Sequence, residues 1–167
     1  INADFVSKFS NTDVRNLFVA SSTITNPADF RRYTTRKFKF NFGSDVPLIR
    51  TAEMILIDAE ALARTPGKEA EAHDLLYALQ KNRDANAVKS TNTGAALIDE
   101  ILLERRKELY AENGVEWFDA KRLRKGITRT GNHRIFKNLS ADDKRFFLKV
   151  PQREIDANES IDDTVNK

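Results

Sequence analysis

The chain has 167 residues, with 28 Lys and Arg against 25 Asp and Glu, a net charge of +3 and no cysteine. That length fits one ordinary domain or a piece of a larger one, and suffices to bury a real core. The missing cysteine excludes disulfides, a thiol nucleophile and Cys-ligated metals, and no run approaches the roughly 18–20 apolar residues of a membrane-spanning helix.

The chain begins at Ile1 with no basic-then-apolar leader, so a targeting segment has been removed or the chain is a fragment. Residues 1–35 show no clean period, and Asn26-Pro27 marks a turn. "RKFKFNF" (Arg36–Phe42) alternates basic or polar residues with Phe38, Phe40 and Phe42, which predicts a half-buried strand ended by Gly43. "DVPLIRTAEMILIDAEALART" (Asp45–Thr65) opens with possible caps at Ser44 and Asp45, and Pro47 suits a first helical turn. Leu48, Ala52, Ile55, Ala59 and Leu62 form one apolar stripe, and Thr65-Pro66-Gly67 ends the helix. A second helix is expected from Lys68 to Arg83, with Ala72, Leu76 and Leu79 on one face. The short break makes the pair antiparallel, with the small-residue look of a single tetratricopeptide-type hairpin. A third helix is expected from Ala95 to Glu112, with Ile98, Ile101, Leu102 and Leu109 inward, stopped by Asn113-Gly114. A short fourth spans Val115–Leu123. Beyond Gly126 the pattern dissolves, with "RFFLKVP" reading as an edge strand and "QREIDANES" as a turn or a single helical turn. The fold class expected is mainly α: tetratricopeptide-like helical hairpins with irregular loops and one or two short strands. The chain divides into a loop and strand segment over 1–43, helical hairpins over 44–125, and an irregular basic segment with tail over 126–167.

Charge is unevenly spread. Between Lys121 and Arg153 eleven basic residues face only Asp142 and Asp143, and the tail then turns acidic. Phosphate neutralisation by this segment would need a recognised nucleic-acid module around it, and none is present. His73 and His133 are far apart and match no metal-ligand spacing, so both are read as structural or surface residues. No nucleophile turn or phosphate loop occurs. The carboxylate pairs Glu53 and Glu60, Glu100 and Glu104, and Glu104 and Glu108 have the spacing that any charged helix face produces. Trp117 and Phe118 are expected to wedge against a neighbouring helix. Phe30 and Tyr33, in an irregular loop with Arg31 and Arg32, are freer to face a ligand; a sugar ring can stack on such a rigid aromatic face. Phe30, Arg32 and Tyr33 are therefore the candidate ligand-binding residues.

Four blocks together resemble the SusD/RagB family, envelope nutrient-binding lipoproteins of certain Gram-negative bacteria. "DVPLIRTAEMILIDAEA" (Asp45–Ala61) is similar to the family's Pro-hydrophobic-Ile-Arg-x-Ala-Glu helix. "ALQKNRDAN" resembles its Leu-Asn-x-Val-Arg stretch, with Gln80 and Lys81 as departures. "ILLERRKELYAENGVEWFDAKR" (Ile101–Arg122) resembles its most specific block, with Ala120 in place of the usual Leu. "FLKVPQREIDANESI" (Phe147–Ile161) resembles its closing motif, with Glu159 where Pro is expected. "TDVRNLF" also resembles the family's Asp-x-Arg, whereas the "DDTVNK" ending departs from its usual close.

The resemblance implies the C-terminal portion of a longer, lipid-anchored protein exposed on the external face of the cell outer membrane. It further implies binding of a glycan or other nutrient, delivery to a TonB-dependent outer-membrane transporter, no catalysis and no cofactor. Membrane attachment would come only through a lipid anchor outside this chain. Arg50, Glu53, Glu60, Arg105, Glu108 and Asp119 are then scaffold, tying helices and loops together where partly buried. A cytosolic helical-repeat protein–protein interaction adaptor is the alternative. A carboxylate glycosidase ranks third and would need two acids converging in a cleft.

Overall fold

The protein is described here from a computed structural model covering residues 1–39, 43, 45–135 and 137–166. Among these residues, six α-helices and one two-stranded sheet follow in order. They are α1 (Ala3–Val6), β1 (Phe18–Ala20), β2 (Tyr33–Thr35), α2 (Thr51–Ala63), α3 (Glu69–Arg83), α4 (Gly94–Leu109), α5 (Val115–Arg122) and α6 (Gln152–Ala157). The mainly helical class expected from the sequence is what the chain adopts.

The core lies where α2 packs against α3 and α4. Ala52, Leu56, Ala59 and Ala63 of α2 meet Ala72, Leu76 and Leu79 of α3 and Leu97 and Ile101 of α4. The α3 face is the expected one. The small residues on α2 and α3 let two helix axes approach closely, and Leu56, Leu76, Leu97 and Ile101 fill the space between them. Five residues, 64–68, connect α2 to α3, and Gly67 takes the left-handed conformation (φ 78°) that turns the chain back.

α2 starts later than its local signals suggest. Asp45 lies well before the first helical turn, Leu48 is exposed, and the N-cap is Arg50, in extended backbone with φ −132°. Leu56 takes the fully buried place, while Ile55 and Leu62 are only partly buried. The extended Arg50 sends its guanidinium to Glu108 and Glu112 at the far end of α4, so a tertiary ion pair overrides a local start signal. Ser44, the other expected cap, lies outside the described residues.

α4 likewise stops at Leu109, short of the expected Glu112. Ala111 (φ 60°), Asn113 (φ 45°) and Gly114 (φ 69°) reverse the chain through left-handed backbone before α5. Tyr110 turns into a second, aromatic core with Phe5, Phe9 and Phe18. Its rings meet mostly edge to face, at centroid separations from 5.0 to 6.2 Å, the geometry that ring quadrupoles favour. This cluster fastens the N-terminal segment and the β1–β2 hairpin to the end of α4.

The strand lies earlier than the alternation in Arg36–Phe42 suggests. β1 and β2 pair antiparallel, with Phe18 opposite Thr35 and Ala20 opposite Tyr33. The Arg36 amide still donates to the Leu17 carbonyl (2.8 Å), and the chain then leaves the ladder as Lys37 turns inward, where its ammonium binds the carbonyls of Glu108 (3.0 Å) and Tyr110 (2.8 Å). Phe40, Asn41 and Phe42 lie outside the described residues. "RFFLKVP" is not an edge strand: Lys144–Phe146 form a 3-10 turn with Phe146 buried, and Leu148 is almost wholly exposed. "QREIDA" forms the expected short helix.

Candidate functional site

The acids of the helices are committed to cations. Glu108, nearly inaccessible to solvent, receives Arg50 (2.8 Å) and Arg83 (2.9 Å) on Oε1, and Arg15 (2.9 Å) and Arg83 Nε (3.0 Å) on Oε2. Burial alone would raise its pKa. The hydrogen bonds and charges of Arg83, Arg50 and Arg15 outweigh that and hold it at about 2. Glu112 takes Arg50 and Lys37 (2.5 Å), and Arg50 also bonds the Glu108 carbonyl (2.8 Å). Two cations thus cap the negative end of α4. Asp13 and Arg15 form a two-pronged pair that also meets Glu104 and Lys107, and Asp13 is held below the ordinary carboxylate range despite its burial.

A second network joins α2, α4 and α5. Arg105 bonds Glu53 (2.9 Å) and Asp119 (2.9 Å). Arg122 bonds Asp119 (2.7 Å) and both oxygens of Glu60 (2.9 and 2.8 Å), which also receives Arg64. Glu53 and Glu60 therefore face separate arginines, as scaffold residues do. Arg50 pairs with Glu108 and Glu112 and not with Glu53 one turn away. Asp119 of the second network lines a cleft between α4 and α5 together with Asp99 and Glu116, and each is paired: Asp119 with Arg105 and Arg122, Glu116 with Arg106 and Asp99 with Lys125. His73 bonds the Asn92 carbonyl (2.8 Å), and no cluster that could hold a metal ion occurs among the described residues.

The surface suited to a ligand lies on the loops. Residues 28–33 and 129–134 are stitched together by buried Asn132, which donates to the Asp29 carbonyl (2.8 Å) and accepts from Ala3 N (2.7 Å). The Ile1 nitrogen donates to the Tyr33 carbonyl (2.7 Å), fixing β2 to the same seam. Phe30 stands on this seam with 42% of its surface exposed. The guanidinium carbons of Arg31 and Arg134 each lie 5.6 Å from its ring centroid. Arg31 is paired with Asp29 (2.7 Å); the Arg31 hydrogen bonds hold that carboxyl at about 2.

The three candidate residues are thus brought together but differ in place. Phe30 presents the part of its ring that Arg31 and Arg134 leave open. Arg32 turns its guanidinium back onto the carbonyls of Ser21 and Ile24 (2.7 Å to the latter) and lies 5.7 Å from the half-buried Tyr33 ring. Replacing Asn132 by alanine strands the Asp29 carbonyl and the Ala3 amide. A loss of about 2 kcal/mol is expected, together with faster amide exchange at Ala3, measurable by hydrogen exchange.

Beside the seam runs a cleft of about 460 Å³, lined by Phe5, Arg106, Glu116, Trp117, Arg129 and His133 among others. A neighbouring cleft of about 340 Å³ lies between α4, α5 and the Gly126–Thr128 turn. The Arg106–Glu116 ion pair (2.8 Å) lines both. Trp117 is half-buried: it packs on Phe146 from the 3-10 turn (centroids 4.7 Å apart) and contributes to the cleft wall. Phe118 does not wedge against a helix but is largely exposed. Trp117, Asn132 and Arg134 are not site residues in the sequence reading. Trp117 is read there as a packing residue, and for Asn132 and Arg134, distant from Phe30 in the chain, the only signal is the basic, irregular composition beyond Gly126.

No helix among the described residues is long and apolar enough to cross a membrane. The SusD family model, SusD_RagB, matches residues 27–165. Among curated proteins none matches. The fold is similar to that of a SusD-like carbohydrate binding protein from Bacteroides vulgatus ATCC 8482, with a TM-score of 0.77 and 22% sequence identity over 96% of this chain. The chain spans 40% of the length of that protein. With the matched region running from the Asn26-Pro27 turn to the acidic tail, and holding both ionic networks apart from Asp13 and Arg15, the chain belongs to the SusD family.

Proposed function

We propose that the protein binds a glycan on the surface centred on Phe30 and does no chemistry on it. In the full reading it works at the external face of the outer membrane and hands its ligand to a TonB-dependent transporter. The observation that carries this is the exposed Phe30 ring, on a loop that buried Asn132 ties to the 129–134 loop, whose Arg129 and His133 line the cleft walled by Trp117. An aromatic face on a fixed loop stacks a sugar ring at little conformational cost. In this reading Phe30 touches the ligand, while Arg32 and Tyr33 hold the loop that presents it. The commitment of Glu53, Glu60 and Glu108 to arginines supports binding over hydrolysis, since a glycosidase needs two acids facing one bond. The carbohydrate-binding relative from Bacteroides vulgatus ATCC 8482 supports the ligand class.

Affinity electrophoresis of the intact protein across a broad polysaccharide panel tests the reading. Retardation by at least one polymer is expected. Phe30→Ala should weaken that binding at least about tenfold, or about 1.4 kcal/mol, with unchanged helical circular dichroism. Failure to bind any polymer would sink the glycan reading. Cross-linking in intact outer membranes tests the other half, which falls if no TonB-dependent transporter is captured.

A further inference from the structure

The Phe30 surface carries more positive charge than its own acids neutralise, and we infer that its ligand is an acidic saccharide bearing uronic carboxylates or sulfate esters. The inference rests on the glycan-binding reading and narrows it.

The arginines of the helical networks and three of those near Phe30 are partnered differently. On the helical side Arg15, Arg50, Arg83, Arg105 and Arg122 each face one or more carboxylates at 2.6–2.9 Å. On the loop side Arg32, Arg129 and Arg134 have no carboxylate within ion-pair distance among the described residues. Arg32 donates to backbone carbonyls and Arg129 to the Lys137 carbonyl, so neither charge is offset by those bonds. Arg134 is exposed, and its described contact is the Phe30 ring. The acids at this surface are Asp29, already taken by Arg31, Asp4, which lies beside Gly131, and Glu116, taken by Arg106 on the cleft that Arg129 lines. Five guanidinium groups, those of Arg31, Arg32, Arg106, Arg129 and Arg134, thus stand against three carboxylates.

Arg134 is suited to the work by chemistry. A guanidinium stays charged at every physiological pH and presents its N–H groups in a planar fork that matches a carboxylate or sulfate. Close to an aromatic ring, it remains free to bond through its edge. A sugar stacked on Phe30 therefore brings its substituents beside an uncommitted cation, and an acid there gains a charge-assisted bond that a hydroxyl does not.

Binding of the intact protein to two matched polymer pairs decides it: polygalacturonate against its methyl ester, and chondroitin sulfate against its desulfated, carboxyl-reduced form. The expected result is at least tenfold tighter binding of one acidic polymer than of its neutral partner, weakening as salt rises. Arg134→Gln should remove about tenfold of that preference, while Arg153→Gln, an exposed arginine on α6, leaves it unchanged. If the neutral polymers bind as well, with sensitivity to Phe30→Ala but not to Arg134→Gln, the acidic ligand is overturned and glycan binding stands. If no polymer binds, both readings fall. Equal losses in Arg134→Gln and Arg153→Gln, or equal affinity for single-stranded DNA, would show diffuse charge attraction and overturn the inference.

Discussion

Replacing Glu108 by alanine is expected to destabilise the protein by about 3–5 kcal/mol, the usual result of removing one partner from a buried ion pair. The case is severe because one carboxylate serves three guanidinium groups. Arg15, Arg50 and Arg83 converge on it from the segment before β1, from the N-cap of α2 and from the last turn of α3. Without Glu108 these cations repel one another at the end of α4, and Arg50 keeps only Glu112 and the Glu108 backbone carbonyl. Glu108→Gln keeps the shape and one acceptor, so it should cost less than the alanine variant. Urea denaturation followed by circular dichroism at pH 7 measures both; a loss under about 1 kcal/mol for Glu108→Ala would place the pair among weak surface bridges.

Acid should act through the same group. The folded-state pKa of Glu108, about 2, lies below the ordinary glutamate value. Its stabilisation is therefore fully present above the unfolded value and is lost as pH falls through the folded one. Asp13 and Glu60, also lowered, add in the same direction. The urea midpoint should hold level from neutrality to about pH 5 and decline below it, with a shallower decline in Glu108→Gln.

The sequence makes the helices legible because their signal is local. Ala72, Leu76 and Leu79 recur at the helical period, and the structure buries those three on α3. The errors at the start of α2 and at the expected strand fall where distant partners decide. Pro47 and Asp45 announce a helix start that Arg50 postpones, because its guanidinium is worth more against Glu108 and Glu112 than one further turn of exposed helix. Phe38 alternates like a strand residue, but Lys37 beside it caps α4 instead of joining the ladder. The scaffold role of Glu53, Glu60 and Arg105 was readable from their amphipathic setting. Which arginine each acid meets was not, since Arg105 and Glu53 are 52 positions apart. The ligand surface is least legible of all. Phe30 and Arg134 meet only because Asn132 bonds across to the Asp29 carbonyl, 103 residues earlier, and nothing near Asn132 in the chain announces that bond.

Gly126→Ala should separate the helical scaffold from the ligand surface. Gly126 sits in left-handed backbone (φ 67°), and a Cβ there would stand 2.3 Å from the Leu139 carbonyl oxygen and 3.0 Å from the Ala141 nitrogen. Left-handed backbone alone costs a side chain about 1–2 kcal/mol. The clash is with main chain, which cannot rotate away, so the segments around Gly126 and Leu139 must part at an added cost of about 1–3 kcal/mol. That contact closes the bridge between Ile127 and Leu139, whose amides and carbonyls exchange two hydrogen bonds of 2.9 Å. The bridge forms the neck of the loop that carries Arg129, Asn132 and Arg134. Parting it should free Asn132 from Asp29 and move Arg134 away from Phe30. The helical core of α2, α3 and α4 shares no residue with the neck, so its exchange protection should persist. The expected result is fast amide exchange at Ile127 and Leu139, loss of polysaccharide binding comparable to Phe30→Ala, and slow exchange retained at Leu56, Leu76 and Ile101. Full binding by a variant whose neck has opened would mean that the 129–134 loop takes no part in holding the ligand. The surface would then reduce to Phe30 and its own turn.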